Sequence, residues 1–352
     1  MDKKELYQYV GSMQQMAYIR KVTCEEGRST GLRMFDVKNE CLQYQVMCDK
    51  CLDVAGFSYK GINMNFLSKP GLQGRNHYDT NGKEALHSIM GGLFFTAGLE
   101  NICAPYKNET GEYPMHGRIR TTPAEEVSSS QEWTKDGLVL KVSGTMREAE
   151  LFGENMVLRR SIGTVAGSKS IKVTDEIENE AYRDEPLMLL YHINLGYPFL
   201  TPAMRLYIPT KKVTPRDEAS RGHEDRYDRI DKPKKNEPEY VFIHDMKKTK
   251  DKSTWVLAVN PDLKLGLKIQ FNMKNLPYFM EWKSTAAGDY VIGLEPSNSS
   301  VYGRGFHEKN GDLHMLKPFE KEKNELVFTV LDGDEEIQAA VEEFEKQFNR
   351  IK

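Results

Sequence analysis

The stretch Leu263-Lys264-Leu265-Gly266-Leu267-Lys268-Ile269-Gln270-Phe271 places an apolar residue at every second position. Successive side chains of a β-strand point to opposite faces, so this alternation predicts a strand with one buried and one solvated face. Such strands are typical of antiparallel sheets. The same period recurs from Leu138 to Val142 and from Ile171 to Ile177. Turn signals separate the runs, among them Asp136-Gly137, Asn260-Pro261-Asp262 and Asn310-Gly311-Asp312. The sequence therefore predicts a protein dominated by antiparallel sheets.

Helical periodicity appears at the two ends of the chain. The C-terminal pattern starts at Asp334 with an acidic first turn, which suits the positive end of the helix dipole. Its apolar face, which we expect to pack on a sheet, consists of Ile337, Ala340, Val341, Phe344 and Phe348. A shorter N-terminal pattern, weakened by Gly11, consists of Leu6, Val10, Met13 and Met16.

The chain has 352 residues, and no internal repeat is visible. All-β sandwiches can exceed roughly 200 residues as single domains, so we expect one domain over residues 1–352. Residues 211–239 differ in composition because charged side chains dominate them. We expect this segment to be a surface excursion between strands. Its composition fits one wall of a binding site and a plain solvated loop equally well.

Charge and hydropathy argue against two classes of protein. A net charge of −3 gives no basic field of the kind that nucleic-acid binders show, so no nucleic-acid partner is expected. The N-terminal sequence has no apolar core of signal-peptide type. No stretch reaches the roughly 18–20 apolar residues that are needed to cross a bilayer. We therefore expect a cytoplasmic protein without membrane contact.

The five cysteines are an odd number and are sparse for this length, so we expect free thiols in a reducing compartment. Cys48 and Cys51 have the CxxC spacing. A zinc site needs two further ligands, and neither a second CxxC nor a closely spaced pair of histidines supplies them. A thioredoxin-like motif would need a helix where the residues from Leu52 to Val54 continue as a strand. Both cysteines are therefore expected to be structural.

Polar residues interrupt three segments that otherwise have the pattern of sheet. The first runs from Glu112 to Arg120. In an extended strand, His116 and Arg118 would point to the same face, and Gly117 would allow a close approach to the backbone. Such a donor-rich face suits hydroxyls or a carboxylate, and a polar face turned to water fits the pattern equally well.

The second segment predicts a strand in which Leu187, Leu189, Tyr191 and Ile193 share one face, opposite Met188, Leu190, His192 and Asn194. The latter face turns polar at His192 and Asn194, as expected where the end of a strand emerges into a pocket. The third segment leads to Glu295. A glutamate at the end of an apolar strand is costly to bury unless it is paired or used. Pro296 should keep Glu295 extended and end the strand ladder.

A histidine and a carboxylate are sufficient for one reaction of sugars. Interconversion of two anomers needs a base at the anomeric hydroxyl and an acid at the ring oxygen. The ring opens, the carbonyl carbon rotates, and closure returns the other anomer. This hypothesis makes Glu295 and His192 the catalytic residues and involves neither a metal nor a cofactor.

The segments that contain His116-Gly117, Tyr191-His192-Ile193-Asn194 and Gly293–Asn298 occur in the order found in galactose mutarotase-like proteins. In finer detail the chain resembles the branch of aldose 1-epimerase-like proteins known as domain of unknown function 4432. Residues 49–54 and 91–101 also carry this resemblance, which covers nearly the whole chain.

The resemblance implies an all-β-dominated fold, a β-supersandwich of large antiparallel sheets with short terminal helices and a cleft on one side. It also implies that Glu295 acts as the base, that His192 acts as the acid and that His116 binds the substrate. The remaining substrate-binding candidates are Arg118, Asn194, Trp282, Asp53 and Lys50. The branch usually carries arginine at the position of Lys50, and lysine keeps the charge but loses the bidentate fork.

Two other functions remain open. The same pair of residues would also serve isomerisation or elimination on a keto sugar or sugar acid, and a cleft without catalysis would serve a carbohydrate-binding protein. The presence of both His192 and Glu295 favours an enzyme. Trp282 suits either stacking on a sugar or packing in the core. The expected partner is a small-molecule sugar, and the chain is expected to be a monomer or a homodimer.

Overall fold

The computed structural model describes residues 3–74 and 82–348. Its α-helices are α1 (Lys3–Leu6), α2 (Arg304–Asn310) and α3 (Asp334–Phe348). The strands up to residue 165 are β1 (Ala17–Thr23), β2 (Arg33–Asn39), β3 (Leu42–Met47), β4 (Val54–Tyr59), β5 (Ile62–Asn63), β6 (Phe66–Leu67), β7 (Gly91–Gly92), β8 (Phe94–Leu99), β9 (Tyr106–Lys107), β10 (Glu112–Tyr113), β11 (Glu125–Thr134), β12 (Gly137–Ala149) and β13 (Asn155–Val165).

The later strands are β14 (Ser170–Asn179), β15 (Glu185–Pro186), β16 (Met188–Leu195), β17 (Arg205–Tyr207), β18 (Thr210–Pro215), β19 (Glu239–Met246), β20 (Ser253–Asn260), β21 (Leu265–Asn272), β22 (Tyr278–Ala286), β23 (Asp289–Ser297), β24 (Met315–Leu316) and β25 (Lys321–Asp332). Short 3₁₀ turns lie at Met13–Gln15, Gly27–Ser29, Gly82–His87, Ile119–Thr121 and Glu224–Arg226.

Two large antiparallel sheets form the molecule, as the alternating pattern predicts. The large sheet has 11 strands in the order β1-β2-β3-β4-β8-β16-β23-β22-β19-β18, with β5 beside β4. The small sheet has eight strands in the order β11-β12-β13-β14-β25-β21-β20-β17. The predicted strands around Leu138, Ile171 and Leu267 are β12, β14 and β21, all in the small sheet. The predicted class, an all-β sandwich of large antiparallel sheets, is confirmed.

The main core lies between the two sheets. Alternate residues of the large sheet, such as Leu189, Tyr191 and Ile193 of β16, belong to the same buried cluster as Leu267 and Phe328 of the small sheet. The rings of Phe94 on β8 and Phe328 on β25 stack across the interface at 5.9 Å. We call the faces that meet here the inner faces and the opposite face of the large sheet its outer face. A second buried cluster, which includes Met188 and Leu190, covers that outer face.

A buried ionic cluster crosses the inner face. Arg160 on β13 is fully buried, and all five of its N–H donors have acceptors. Its Nε and Nη2 contact the two carboxylate oxygens of Asp175 at 2.8 and 2.6 Å. Its Nη1 donates to Asp53 Oδ1 at 2.7 Å and to the carbonyl of Cys51 at 3.0 Å, and Nη2 also reaches Thr96 Oγ1 at 2.9 Å. The hydroxyl of Tyr191 donates to Asp175 Oδ2 at 2.7 Å. We call these side chains, Arg160, Asp53, Asp175, Thr96 and Tyr191, the arginine cluster.

The C-terminal helix forms where the sequence predicts it, from Asp334 to Phe348. Its apolar stripe packs on the outer side of the small sheet, where Trp255 contacts Phe344 and Phe348 at ring distances of 5.3 and 5.7 Å. The N-terminal helix is shorter than its pattern suggests and ends at Leu6. Ser12 then begins a separate 3₁₀ turn by accepting a hydrogen bond from Gln14 N at 3.3 Å. Gly11 and Ser12 are poor residues for a helix interior, which explains the break.

The charged segment 211–239 divides into two parts. Its first residues belong to β18, the edge strand of the large sheet, which pairs with β19 from Thr210 to Pro215. The remainder, residues 216–238, connects β18 to β19, and we call it the β18–β19 connection. Ser220 and Ile230 of this connection are buried. The connection therefore packs on the sheet rather than extending freely into water.

All five cysteines are free thiols, and Cys48 and Cys51 are buried. Among the helices of the described residues, none is long and apolar enough to span a membrane.

Candidate active site

The histidine and glutamate identified in the sequence lie side by side on the outer face of the large sheet. Strands β16 and β23 pair with Ile193 opposite Leu294 and Asn194 opposite Gly293. The same register places His192 opposite Glu295, and His192 Nε2 lies 3.2 Å from Glu295 Oε1. The predicted division of β16 into two faces is confirmed, because Tyr191 belongs to the inner cluster and Leu190 to the outer one. His192 lies within β16, however, and not at its end.

Aromatic rings fix the imidazole of His192. Phe95 on β8 stacks on it at a centroid distance of 4.5 Å, and Trp282 on β22 meets it edge to face at 5.3 Å. Gly293 lies between Trp282 and Glu295 on the sheet surface. A Cβ on Gly293 would lie 2.6 Å from Glu295 Oε1 and 3.1 Å from the Cβ of Trp282. Only glycine leaves room there for both side chains in their observed positions.

His116 reaches the same place by a different route from the one predicted. It does not lie in an extended strand, because β10 ends at Tyr113 and both His116 and Gly117 adopt positive φ angles of 60° and 69°. The resulting turn brings the His116 ring to 5.6 Å from that of His192. A Cβ on Gly117 would lie 1.9 Å from the carbonyl oxygen of Gly98, so the turn requires glycine at this position.

The orientation of the His116 ring determines which nitrogen faces the site. Its Nδ1 accepts a hydrogen bond from the backbone N–H of Cys103 at 3.3 Å. In the neutral ring the proton therefore resides on Nε2, which makes His116 a hydrogen-bond donor. Burial and the neighbouring His192 and Arg120 hold the pKa of His116 well below its usual value, which favours this neutral form.

The same turn separates Arg118 from the pair. Its side chain is largely exposed, and its guanidinium contacts Glu100 and donates to the carbonyl of Glu112 at 2.9 Å. It lines a cavity of about 660 Å³ whose described lining includes neither His192 nor Glu295. The prediction that His116 and Arg118 share one strand face is wrong, because the positive φ angles turn the chain between them. Arg120, two residues further on, is buried and acts electrostatically on His116 instead.

Lys50 and Asp53 line a small cavity beside Phe95. This cavity, of about 20 Å³, also has Arg120 and Gln73 in its lining. Burial and the charge of Arg120 lower the pKa of Lys50 to about 8. Asp53 belongs to the arginine cluster, where its oxygens accept from Thr96 N at 3.0 Å, Thr96 Oγ1 at 2.7 Å and Arg160 Nη1 at 2.7 Å. The structure therefore assigns Asp53 a role in the core, while Lys50 lies at the edge of the site.

The charge of the central pair is set by burial. Burial raises the pKa of Glu295 to about 8, although the cation of Arg216 opposes the shift. Burial also lowers the pKa of His192 to about 4. Between these values the pair holds one proton and has no net charge. Two titratable groups whose pKa values are displaced in opposite directions are the usual mark of an acid–base site.

Several polar atoms at this site find no hydrogen-bond partner among the described residues. They are His192 Nδ1, Asn194 Oδ1 and Glu295 Oε1, all of them buried. The 3.2 Å contact between His192 and Glu295 lacks the direction of a hydrogen bond. Asn194 donates only to the carbonyl of His192, at 2.7 Å. Buried polar atoms are nearly always paired in folded proteins, so this group is prepared for a polar ligand.

Two charged residues that the sequence does not single out also flank the pair. Arg216 directly follows β18, and its Nη2 lies 3.1 Å from Glu239 Oε1. The other carboxylate oxygen of Glu239 accepts from Trp282 Nε1 at 2.9 Å. Trp282 is therefore held by a hydrogen bond as well as by packing. Arg216 begins the β18–β19 connection, so this connection contributes to one wall of the site.

One other buried histidine, His307, has partners for both ring nitrogens and serves as a contrast. His307 Nε2 accepts from the backbone N–H of Ser300 at 3.0 Å and lies 2.9 Å from its hydroxyl, while Nδ1 lies 2.9 Å from Asp312. This order of groups matches a Ser-His-Asp triad. Ser300 is buried, however, and its own N–H occupies the nitrogen that a base would use, so His307 caps the loop after β23. Across the described residues, no group of three His, Cys, Asp or Glu side chains is arranged to hold a metal ion.

Comparison with known proteins identifies the family and the fold. The sequence matches the family described as Domain of unknown function (DUF4432) over residues 29–330. No curated protein matches it in sequence. A presumed aldose 1-epimerase from Klebsiella pneumoniae superposes with a TM-score of 0.90 at 21% identity, over 95% of this chain and 88% of that one.

Two further solved structures are similar over most of their length. A galactose mutarotase-like protein from Clostridium acetobutylicum has a TM-score of 0.64 at 15% identity, over 90% of this chain and 99% of that chain. A galactose 1-epimerase from Lactobacillus acidophilus has a TM-score of 0.56 at 14% identity, with the same coverages of 90% and 99%. At these identities the likeness establishes the fold, which is that of the galactose mutarotase-like proteins.

Proposed function

This chain belongs to the Domain of unknown function (DUF4432) family, and on that premise we propose that it is an aldose 1-epimerase-like enzyme that interconverts the anomers of a sugar. The observation that supports this proposal is the pair formed by His192 and Glu295. The two side chains face each other at 3.2 Å on the outer face of the sheet. They share one proton near neutral pH and retain unsatisfied polar atoms.

In the proposed reaction, Glu295 accepts the proton of the anomeric hydroxyl while His192 donates a proton to the ring oxygen. The C1–O5 bond breaks, and the open-chain aldehyde forms. Rotation about C1–C2 then presents the other face of the carbonyl. The reverse proton transfers close the ring to the second anomer. Each group acts once as an acid and once as a base, so the pair is restored after every turnover.

The protonation of the free site fits one half of this cycle. Burial favours the arrangement in which Glu295 holds the proton and His192 is neutral. That arrangement is also the one that follows ring opening. The cyclic sugar reacts from the other arrangement, with the proton on His192. Nε2 and Oε1 lie 3.2 Å apart, so once a side-chain rotation aligns them, one proton transfer interconverts the two arrangements.

Neighbouring side chains have roles in this proposal that follow from their donors. His116 presents Nε2–H to a sugar hydroxyl, and Asn194 Oδ1 accepts from another. Trp282 supplies an apolar surface beside the pair, suited to a C–H face of a sugar ring. Lys50 and Arg120, at the small cavity behind Phe95, lie at the border of the substrate region. Arg118 has no part in it.

The test is magnetisation-exchange NMR of anomer interconversion over a panel of aldoses, ketoses and sugar acids. We expect the wild-type protein to accelerate exchange for at least one sugar beyond the buffer rate. The variants Glu295→Gln and His192→Asn should lose this acceleration and still fold. A matched control exists in the same chain, because His314 and Glu322 form a partly exposed His–Glu contact. Replacing those two by Asn and Gln should leave exchange unchanged.

Other outcomes would contradict the proposal. If no sugar of the panel exchanges faster than in buffer, the anomerase assignment is wrong. A new product formed from a keto sugar or sugar acid, abolished by Glu295→Gln, would instead support isomerisation or elimination by the same pair. Binding of a sugar with no reaction of any kind would support a carbohydrate-binding protein.

A further inference from the structure

We propose that Lys283 is a positioning residue: its buried ammonium anchors the β18–β19 connection and thereby fixes the wall of the site that carries Arg216. Lys283 lies on β22, directly after Trp282, and the two side chains point to opposite faces of the sheet. Trp282 contacts His192 on the outer face. Lys283 is buried and reaches the connection.

Three backbone carbonyls of the connection converge on this ammonium. Lys283 Nζ donates to the carbonyls of Tyr227 at 2.7 Å, Arg226 at 3.0 Å and Arg229 at 3.0 Å. An ammonium has three N–H donors, so these carbonyls use all of them. Glu281, fully buried two residues earlier, offsets the charge at 3.3 Å. The ammonium thus occupies the position that a bound cation holds in many carbonyl-lined loops.

The local conformation of the connection depends on this arrangement. Carbonyl oxygens that point at one another repel, and buried carbonyls without a donor are costly. The only helical turn of the connection, Glu224–Arg226, leads directly into the three carbonyls. Removing the ammonium would leave these oxygens converging on an empty position, so the chain would have to rearrange to expose them to water.

Contacts at the two ends of the connection lead to the proposed catalytic pair. The connection begins at Arg216 and ends just before Glu239, the first residue of β19, and these two side chains are joined at 3.1 Å. Glu239 holds the indole N–H of Trp282 at 2.9 Å, and Trp282 packs against His192. Burial raises the pKa of Glu295, the positive charge of Arg216 opposes this rise, and the negative charge of Glu239 on β19 adds to it. A displaced connection should therefore alter both the surface beside the pair and the titration of Glu295.

The test compares Lys283→Met/Glu281→Gln with Glu281→Gln alone, so that no buried carboxylate is left without its cation. Hydrogen–deuterium exchange is measured on peptides from residues 216–238. Titration of Glu295 is followed by NMR with ¹³C-labelled glutamate, and the signal is assigned by its loss in Glu295→Gln. Neither measurement needs a substrate. Lys268→Met is the control, because Lys268 is a partly buried lysine on the small sheet that contacts Glu343 and the ring of Trp255.

We expect exchange in residues 216–238 to become at least about tenfold faster in the double variant, with the sheets unchanged. The titration midpoint of Glu295 should rise, because the cation that favours its charged form is displaced. Lys268→Met should change neither quantity. If the proposed function holds, the double variant should raise the substrate KM more than it lowers kcat. Only this kinetic measurement rests on the proposed function. If the wild-type protein does not accelerate anomer exchange, the hydrogen–deuterium exchange and the Glu295 titration still test the role of Lys283.

Three results would overturn the proposal. Unchanged exchange in residues 216–238 would show that Lys283 does not anchor the connection. Faster hydrogen–deuterium exchange with an unchanged titration midpoint of Glu295 would show that Lys283 stabilises the connection but does not position the site. If the double variant does not fold, it is replaced by Lys283→Gln in the Glu281→Gln background. The amide introduced at position 283 keeps two N–H donors for the carbonyls. Failure of that variant as well would show that Lys283 is required for the whole fold and has no local role.

Discussion

Two neighbouring residues of β16, Tyr191 and His192, belong to two polar groups with opposite character. On the inner face, Tyr191 joins the arginine cluster, in which every donor of Arg160 has an acceptor. On the outer face, His192 joins Glu295 and Asn194, and three buried polar atoms have no partner among the described residues. Completed hydrogen bonding indicates a structural role, and incomplete hydrogen bonding indicates a place for a ligand.

The two groups also differ in how they accommodate ionisable side chains in the protein interior. Arg160 stays ionised because Asp175 and Asp53 surround it, and this pairing fixes the relative positions of the two sheets. The His192–Glu295 pair avoids charge instead, by sharing one proton. Removing one partner should therefore lower the stability of the protein in the arginine cluster and lower its catalytic activity in the His192–Glu295 pair.

The largest expected effect is on the inner face. Arg160→Met would leave two buried carboxylates without their cation, so we expect the free energy of unfolding to fall by about 3–5 kcal/mol. Urea denaturation near pH 7 measures this. Arg159→Met is the matched control, since Arg159 lies next in sequence and its contacts with Glu178 and Glu180 are only partly buried, so its loss should cost less, about 0–1 kcal/mol. If both variants lose the same free energy of unfolding, the arginine cluster has no special role in stability.

Replacement on the outer face should reduce activity rather than stability. For Glu295→Gln we expect the anomer-exchange rate to fall by about 10²–10⁴-fold, the usual contribution of a positioned acid or base. Urea denaturation at pH 7 should show no loss of stability, because a carboxyl that is costly to bury is replaced by a neutral amide. A large loss of stability with retained activity would reverse the roles of the two faces.

The pH dependence of kcat/KM should show the shared proton. The pair holds one proton between about pH 4 and about pH 8. Below this range both groups are protonated and no base remains, and above it neither holds a proton to donate. We expect a bell-shaped profile with these limbs, which belong to the pair as a unit. The basic limb should be absent from any residual activity of Glu295→Gln, and its persistence would assign it to another group.

A linked effect should appear in stability as a function of pH. The Glu295 carboxyl titrates near 4.5 when unperturbed and at about 8 in the folded protein. Between these values the folded state keeps a proton that the unfolded chain releases, so this group lowers the free energy of unfolding as pH rises. Relative to wild type, Glu295→Gln should therefore gain stability from about pH 4.5 to 8 and change little beyond. Urea denaturation at several pH values tests this, and a constant difference would contradict the raised pKa.

The smallest effect is expected at Arg118. Because its guanidinium contacts Glu100 and the Glu112 carbonyl away from the pair, Arg118→Ala should change kcat/KM by less than about twofold. Steady-state kinetics measures this change, and the loss of kcat/KM in Glu295→Gln serves as the reference for a large effect. A loss of more than about tenfold would return Arg118 to the substrate region.

Much of the fold could be predicted because period-two alternation follows directly from strand geometry. Leu263–Phe271 and the two faces of β16 are examples, and the pair of His192 and Glu295 emerged from polar residues in apolar strands. Pro296 shows a limit of this reasoning. Its fixed backbone predicts the end of the ladder, yet Pro296 stands opposite Phe279 within β23, which continues to Ser297.

Other features depend on contacts that local pattern does not encode. The positive φ of His116 turns the chain where alternation predicts a strand, so Arg120, and not Arg118, is the buried arginine whose charge acts on His116. Asp53 looked like a site residue because its partner, Arg160, lies 107 positions away in the sequence. Arg216 belongs to a charged segment, and its place beside the site depends on the tethering of residues 216–238 to the sheet. The sugar-binding roles of Lys50, Asn194 and Trp282 stay predictions.

The alternation of β16 also makes catalysis a measure of correct folding. A slip of one residue in the pairing of this strand would move His192 into the space between the sheets and turn Tyr191 outward. Both the ionic contacts of the inner face and the proposed chemistry of the outer face would be lost in the same event. The specific activity of a purified sample would therefore report the fraction of molecules in the native register, which spectroscopic measures of strand content alone would not distinguish.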